Sequence, residues 1–240
     1  CNLAASRAKG KFLFFLNNDT FVHDNALAEL ISVFNEKPHA GLVGAKLIYP
    51  NGKLQEAGGF IWDDASGWNF GRLCDPAGLP FNYLRNVDYV SGAAIMIPRN
   101  LWQQIDGFDD HFAPAYYEDV DLAFKVRALG LEVLYQPRAL VTHFEGISSG
   151  TDLNAGVKSY QLVNQSKFHE KWNYQLALHE VNQQIDNFNP PHDFKPRLLI
   201  IDAEVPTPNK DAGSLISVGF QKIVTELGFN ITFIPENLFL

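Results

Sequence analysis

The stretch "KFLFFLNNDTF" at residues 11–21 is an apolar run that ends in polar residues. Its first part, Phe12–Leu16, predicts a fully buried strand. Asn17, Asn18 and Asp19 stand at the exit of that strand. One reading is an Asx-type turn leading into the next helix. The other is a binding site, because the carboxyl end of a buried strand faces the crevice where open α/β sheets take ligands. A carboxylate there can hold Mg²⁺ or Mn²⁺, and the metal can bridge a diphosphate. Taken alone, the motif leaves both readings open.

Moving outward, residues 2–9 read as the end of a helix closed by Gly10. Asp24 is placed to cap a helix carrying Ala26, Leu27, Leu30, Ile31 and Phe34 at helical spacing. Residues 40–49 form a second apolar strand. Strand, helix and strand in this order predict a βαβ unit and a mostly parallel sheet. Glycines and prolines punctuate residues 54–86 around Trp62 and Trp68, which predicts a hairpin or long surface loop. Residues 87–98 read as an apolar strand interrupted at Ser91-Gly92. Leu122, Val126 and Leu129 give residues 115–130 a helical period that Gly130 closes. Two extended pieces come next, the second ending at His143, and residues 158–172 read as a helix with Tyr160, Val163, Phe168 and Trp172 apolar.

Residues 186–196 are a proline-rich linker, and beyond it a strand, an amphipathic helix and another strand predict the start of a second α/β domain. The division is therefore 1–185, linker 186–196, and 197–240. The opening inside a helix and the ending "FIPENLFL" suggest a piece of a longer protein. A net charge of −8 argues against non-specific nucleic-acid binding. Cys1 and Cys74 allow neither a disulfide framework nor zinc spacing, which points to a reducing, cytoplasmic compartment. No apolar run approaches the roughly 20 residues of a membrane span, and no signal peptide is visible.

The second constellation is Glu118-Asp119-Val120-Asp121. Three carboxylates in four residues repel one another unless a cation or a helix N-terminus compensates. Acidic residues in a helix's first turn explain this well. A general base is the functional alternative, since crowding and partial burial suit a carboxylate to deprotonate a hydroxyl. Tyr116, Tyr117 and Phe112 beside it form either a sugar-stacking rim or core. His143 gains interest only from company, neutral imidazole being a good ligand for transition metals.

The order of these elements resembles one family. An N-N-D after an apolar strand, V-S-G-A, G-F-D-D-x-F at 107–112, E-D-V-D opening a helix that ends R-A-L-G, P-R-A-x-V-x-H and the trailing "NQSKFHEKW" are similar to the family 2 glycosyltransferases. Those are inverting enzymes with the GT-A nucleotide-sugar-binding fold, an α/β fold with a mixed sheet. The resemblance covers roughly residues 2–175. It implies that Asn17, Asn18 and Asp19 match the D-x-D motif, with Asn17 in place of the usual first Asp. Asp19 would hold the divalent cation, Mg²⁺ or Mn²⁺, and the donor diphosphate, with His143 completing the metal site. Asp119 would be the catalytic base and Glu118 its acidic neighbour. Ser91, Gly92, Ala93, Tyr117 and Asp121 would lie near donor and acceptor sugars.

The resemblance further implies transfer from a nucleotide-diphosphate sugar to a saccharide or lipid-linked saccharide, in surface polysaccharide biosynthesis. A lipid-linked acceptor would bring the chain to the inner face of the membrane. The same likeness implies that the nucleobase-reading strands precede Cys1, so that these 240 residues alone would be inactive. From Arg197 onward the chain is similar to the opening of a GT-B glycosyltransferase. Two rivals stand beside this reading. A glycoside hydrolase also uses paired carboxylates, though from separated positions and without a metal. A non-catalytic carbohydrate-binding or assembly module would use Trp62, Trp68 and Trp102 as stacking platforms.

Overall fold

A computed structural model of the chain describes residues 1–144, 160–182 and 197–236. The chain divides into two compact units, Cys1–Pro190 and Pro191–Leu240. The linker expected at 186–196 lies outside the described residues.

In the first unit, helix α1 (Asn2–Arg7) leads into strand β1 (Phe12–Leu16). A turn and the short strand β2 (Thr20–Val22) come next, then helix α2 (Ala26–Glu36) and strand β3 (Ala40–Ile48). The strand-helix-strand order matches expectation, but β1 and β3 are not neighbours. Strand β8 (Ala94–Pro98) inserts between them and runs antiparallel to both. The sheet path is β1-β8-β3-β9-β2, where β9 spans Glu132–His143. The β3-β9 pair is parallel, whereas β2 and β9 are antiparallel. The sheet is therefore mixed, not mostly parallel. Local apolar pattern identifies strands, but the strand that closes each gap arrives from elsewhere in the chain.

Strand β1 is an edge of this path, which corrects the expectation of full burial: Leu13 is buried, whereas Leu16 is 42% exposed. Its side chains alternate between faces. Phe12 and Phe14 pack with the core that α2 covers, and the Phe12 and Phe34 rings lie 4.9 Å apart. Phe15 points the other way, 4.4 Å from the ring of Trp102 on helix α3 (Arg99–Gln104). Helix α4 (Glu118–Ala128) joins α3 there, Val126 and Leu101 both crowding Gly41 of β3. A three-layer α/β/α unit results.

The buried residues of α2 are Ala26, Leu30 and Val33, while Leu27 and Ile31 are exposed. Each fully buried Leu or Val contributes about 1.5–3 kcal/mol. Asn25, in the left-handed region at φ 64°, occupies the cap position expected for Asp24 and makes no side-chain cap.

The segment after β3 is not a surface loop at its start. Strands β4 (Leu54–Glu56) and β5 (Gly59–Ile61) are buried, and β5 forms a hairpin with β6 (Gly67–Asn69). Strand β7 (Arg85–Asn86) then pairs with β9. Ser91 and Gly92 precede β8 rather than interrupt it. The two extended pieces near 135 are one strand. In the β3-β9 ladder Ala45 pairs with Gln136 and Lys46 with Leu140, so residues 137–139 bulge out. The next described elements are α5 (Tyr160–Lys171) and α6 (Asn173–Leu176). Phe168 is fully buried, but Tyr160 and Val163 are exposed.

The second unit has the expected βαβ form. Strands β10 (Arg197–Asp202) and β11 (Asn230–Pro235) are parallel neighbours joined by α7 (Ala212–Glu226). Asp211 caps α7, accepting the Ser214 N–H at 2.7 Å. Strand β10 alternates between exposed and half-buried positions, which corrects the expectation of a buried strand.

Candidate active site

The carboxyl end of β1 is tied to the segment before β8, the Asn17 N–H donating to the Ala93 carbonyl at 3.0 Å. The chain then turns, and the Thr20 hydroxyl donates to the Asn17 carbonyl at 2.6 Å. A turn is present, as expected, but it leads into strand β2 rather than into a helix. It also does more. Pairing of β2 with β9 sets Thr20 opposite His143, and the Phe144 N–H donates to the Asp19 carbonyl at 2.8 Å. As a result His143 Nε2 lies 3.3 Å from Asp19 Oδ1, with both side chains about nine-tenths buried. Asn17 Nδ2 is 3.4 Å from the same imidazole nitrogen, and Asn18 is exposed on the turn.

These two residues fit a cation. Two neighbouring ligands at about 2.1 Å from one ion stand about 3.0–3.4 Å apart, which matches the Asp19–His143 separation. Among the described residues no group of three or more His, Cys, Asp or Glu could hold a metal. An ion at Asp19 and His143 would draw its other ligands from phosphate and water, as Mg²⁺ commonly does.

Asp119 sits in the first turn of α4, beyond a loop in which both Tyr116 and Tyr117 are left-handed at φ 72°. Non-glycine residues hold that conformation only where their surroundings over-determine it. The Asp119 carboxylate is held by backbone donors: the Gly92 N–H reaches Oδ2 at 2.8 Å and the Val120 N–H reaches Oδ1 at 2.9 Å. Burial raises the Asp119 pKa, and those hydrogen bonds oppose the rise. Glu118 is pushed up to about 8 by burial and then by the charge of Asp119. Backbone hydrogen bonds oppose the rise in both groups, and the Asp119 charge beside Glu118 favours the protonated form of Glu118.

Ser91, Gly92 and Ala93 therefore connect the two constellations. Ala93 holds the end of β1, and Gly92 holds Asp119. Ser91 is fixed in turn by Glu56, whose Oε1 accepts the Ser91 N–H at 2.9 Å. Glu56 is fully buried on β4. Sequence reasoning missed it, because it falls where apolar periodicity is weakest.

Two expected sugar contacts take other roles. Asp121 is fully buried and its Oδ1 lies 2.7 Å from both the Trp172 indole N–H and Lys171 Nζ. Tyr117 is buried, its hydroxyl donating to the Ala65 carbonyl at 2.8 Å and its ring 5.4 Å from Phe168. Both side chains are buried among protein partners. Trp62 and Trp102 are buried too, which removes them as stacking platforms; Trp68 is half-buried against Phe60 and Trp62. The trailing "NQSKFHEKW" becomes intelligible. Asn164, Phe168, Lys171 and Trp172 fall on one face of α5 and its end, and all reach the α4 side of the site. Their i, i+4, i+7, i+8 spacing was the signal available.

A sequence model of the family described as glycosyltransferase like family 2 matches residues 2–159. Over 157 residues, 63% of the chain, the sequence is 35% identical to the O-antigen biosynthesis protein RfbC of Myxococcus xanthus, of which the match covers 12%. Over 68 residues, 28% of the chain, it is 35% identical to the N-acetylglucosaminyl-diphospho-decaprenol L-rhamnosyltransferase of Mycobacterium tuberculosis, covering 22% of that protein. The chain thus spans a small part of the curated relatives it matches. Among solved structures, that of GalNAc-T7 with UDP, GalNAc and Mn²⁺ aligns with a TM-score of 0.56 over 73% of this chain and 35% of that one. At 16% identity this is a likeness of fold.

Proposed function

The chain belongs to glycosyltransferase like family 2, and from that premise we propose that it carries the base and the cation-holding residues of an inverting sugar transfer. The donor is a nucleotide-diphosphate sugar and the acceptor a saccharide, free or lipid-linked. The observation that carries this reading is the three-residue connection. Ser91, Gly92 and Ala93 hold the Asp119 carboxylate through one N–H and the start of the Asn17-Asn18-Asp19 turn through one carbonyl.

In this reading Asp119 accepts the proton of an acceptor hydroxyl as its oxygen attacks the anomeric carbon of the donor. The bond from that carbon to the diphosphate breaks in the same displacement, and the configuration inverts. Asp19 and His143 would hold Mg²⁺ or Mn²⁺, which would supply charge neutralisation for the departing diphosphate. Asn17 and Asn18 flank the diphosphate. Glu118 keeps its proton and leaves Asp119 as the base.

Surface polysaccharide assembly is the process we assign, on the likeness to the two relatives named above. The nucleotide donor places the reaction in the cytoplasm, at the inner membrane face when the acceptor is lipid-linked. No helix among the described residues is long and apolar enough to cross a membrane. The parallel unit β10-α7-β11 we read as the opening of a GT-B-type domain.

The test is stereochemical. Proton NMR of the product formed by the intact protein should show inverted anomeric configuration. Chelation should stop the transfer, and Mg²⁺ or Mn²⁺ should restore it. Retention of configuration, or full transfer in the presence of a chelator, sinks the reading.

A further inference from the structure

Asn164 lies on α5, beyond residues 2–159 that the family match covers, and has no part in the chemistry above. It is fully buried. Its Nδ2 lies 2.7 Å from the Phe112 carbonyl, 2.8 Å from that of Ala115 and 2.9 Å from that of Tyr116. Three acceptors around one terminal atom require a donor there, so the amide can face only one way. The acceptors all belong to the loop that ends in the left-handed pair Tyr116 and Tyr117, directly before Glu118 and Asp119. That loop is in no strand.

We propose that Asn164 is a positioning residue for sugar transfer. Its amide fixes the loop carbonyls so that the first turn of α4 presents the Asp119 carboxylate to the acceptor hydroxyl. This rests on the reading of Asp119 as the base. The cation end has anchors that this loop does not share, the Asn17–Ala93 bond and the β2-β9 ladder. Loosening the loop therefore disturbs the base and spares the donor end. A residue needed only for folding would disturb both in proportion.

The experiment compares Asn164→Ala, Asn164→Ser and Leu30→Ala in the intact protein, at a temperature where each is folded by circular dichroism. Leu30 is buried under α2, away from the loop, and Leu30→Ala controls for general destabilisation. Misplacing a reacting group by about 1 Å costs up to about 100-fold. The expected result is a kcat about 10- to 100-fold lower in Asn164→Ala, with the donor KM within about threefold of the parent. Asn164→Ser, which keeps one hydroxyl donor, should recover part of the loss, and Leu30→Ala should keep its kcat. The proposal is overturned if kcat per folded molecule is unchanged, or if kcat falls equally in Leu30→Ala. Asp119→Asn is run alongside. If that variant keeps its kcat, the base assignment itself falls; if it loses transfer while Asn164→Ala does not, only the positioning role falls.

Discussion

Asp119 and Asp121 stand two residues apart on the first turn of α4, and the fold surrounds them with opposite chemistry. Asp121 is fully buried against Lys171 and the Trp172 indole, with Lys125 Nζ 3.5 Å away. Among the described residues, the groups that bond the Asp119 carboxylate are neutral backbone N–H donors. Side chains at positions i and i+2 of a helix project in different directions, so one short acidic run can serve two purposes. A carboxylate with a cation partner is spent on structure. One held by dipoles alone is oriented and still able to take a proton.

The largest expected effect separates the two by activity. Asp119→Asn should lower transfer by about 10²–10⁴-fold, the usual worth of a general base, with the thermal midpoint unchanged or raised. Asp121→Asn, which keeps an oxygen for Trp172, should retain kcat per folded molecule. Equal losses of kcat in both variants would end the contrast.

Stability should separate them in the reverse sense. Removing one partner of a buried ion pair costs about 3–5 kcal/mol, so Asp121→Ala should unfold at markedly lower urea concentration. Adding Lys171→Met should return part of that loss, because it removes a half-buried cation left with only its more exposed partner Asp109, 2.7 Å away. A double variant no better than Asp121→Ala would show that the indole contact, not the charge pair, dominates.

The third effect concerns pH. Folded Glu118 keeps its proton to about pH 8, against an ordinary value of 4.5. Between those values the folded state binds more protons than the unfolded one, so this carboxyl's contribution is full in acid and fades as pH rises. Glu118→Gln should flatten that decline in a series of melting curves from pH 4.5 to 8. An unchanged slope would mean that another group sets it. The smallest effect is Tyr117→Phe, which removes the hydroxyl bond to Ala65 and should cost about 1 kcal/mol in urea unfolding.

The contrast also shows what the sequence conveys. Both carboxylates read alike as first-turn acids, because a helix period identifies a turn but not the partner each position will meet. Two of Asp121's partners, Lys171 and Trp172, lie about 50 residues away at the end of α5. Nothing local to position 121 announces them. Strands β1 and β3 and helices α2 and α4 were legible from apolar runs, glycine stops and period. The insertion of β8 between β1 and β3 was not, since pairing order depends on long-range register. Asp19 and His143 were brought together only through resemblance, and the β2-β9 ladder supplies the physical reason they meet. The burial of Trp62 and Trp102 was equally hidden: an indole in a glycine-rich stretch looks the same whether it faces water or another ring.

The bulge at residues 137–139 gives β9 a length of slack in an otherwise rigid ladder. A strand's side chains alternate with period two, so a one-residue slip beyond Leu140 would swing His143 to the far side of the sheet and away from Asp19. Between Gln136 and Leu140 the same indel has somewhere to go. Arg138, at the bulge, is exposed, its guanidinium paired with Glu29 at 3.0 Å and its N–H donating to Gln136 Oε1 at 3.3 Å. A residue added or removed at the middle of this strand is therefore taken up there, like slack at a buckle, while the histidine at its tip keeps its phase.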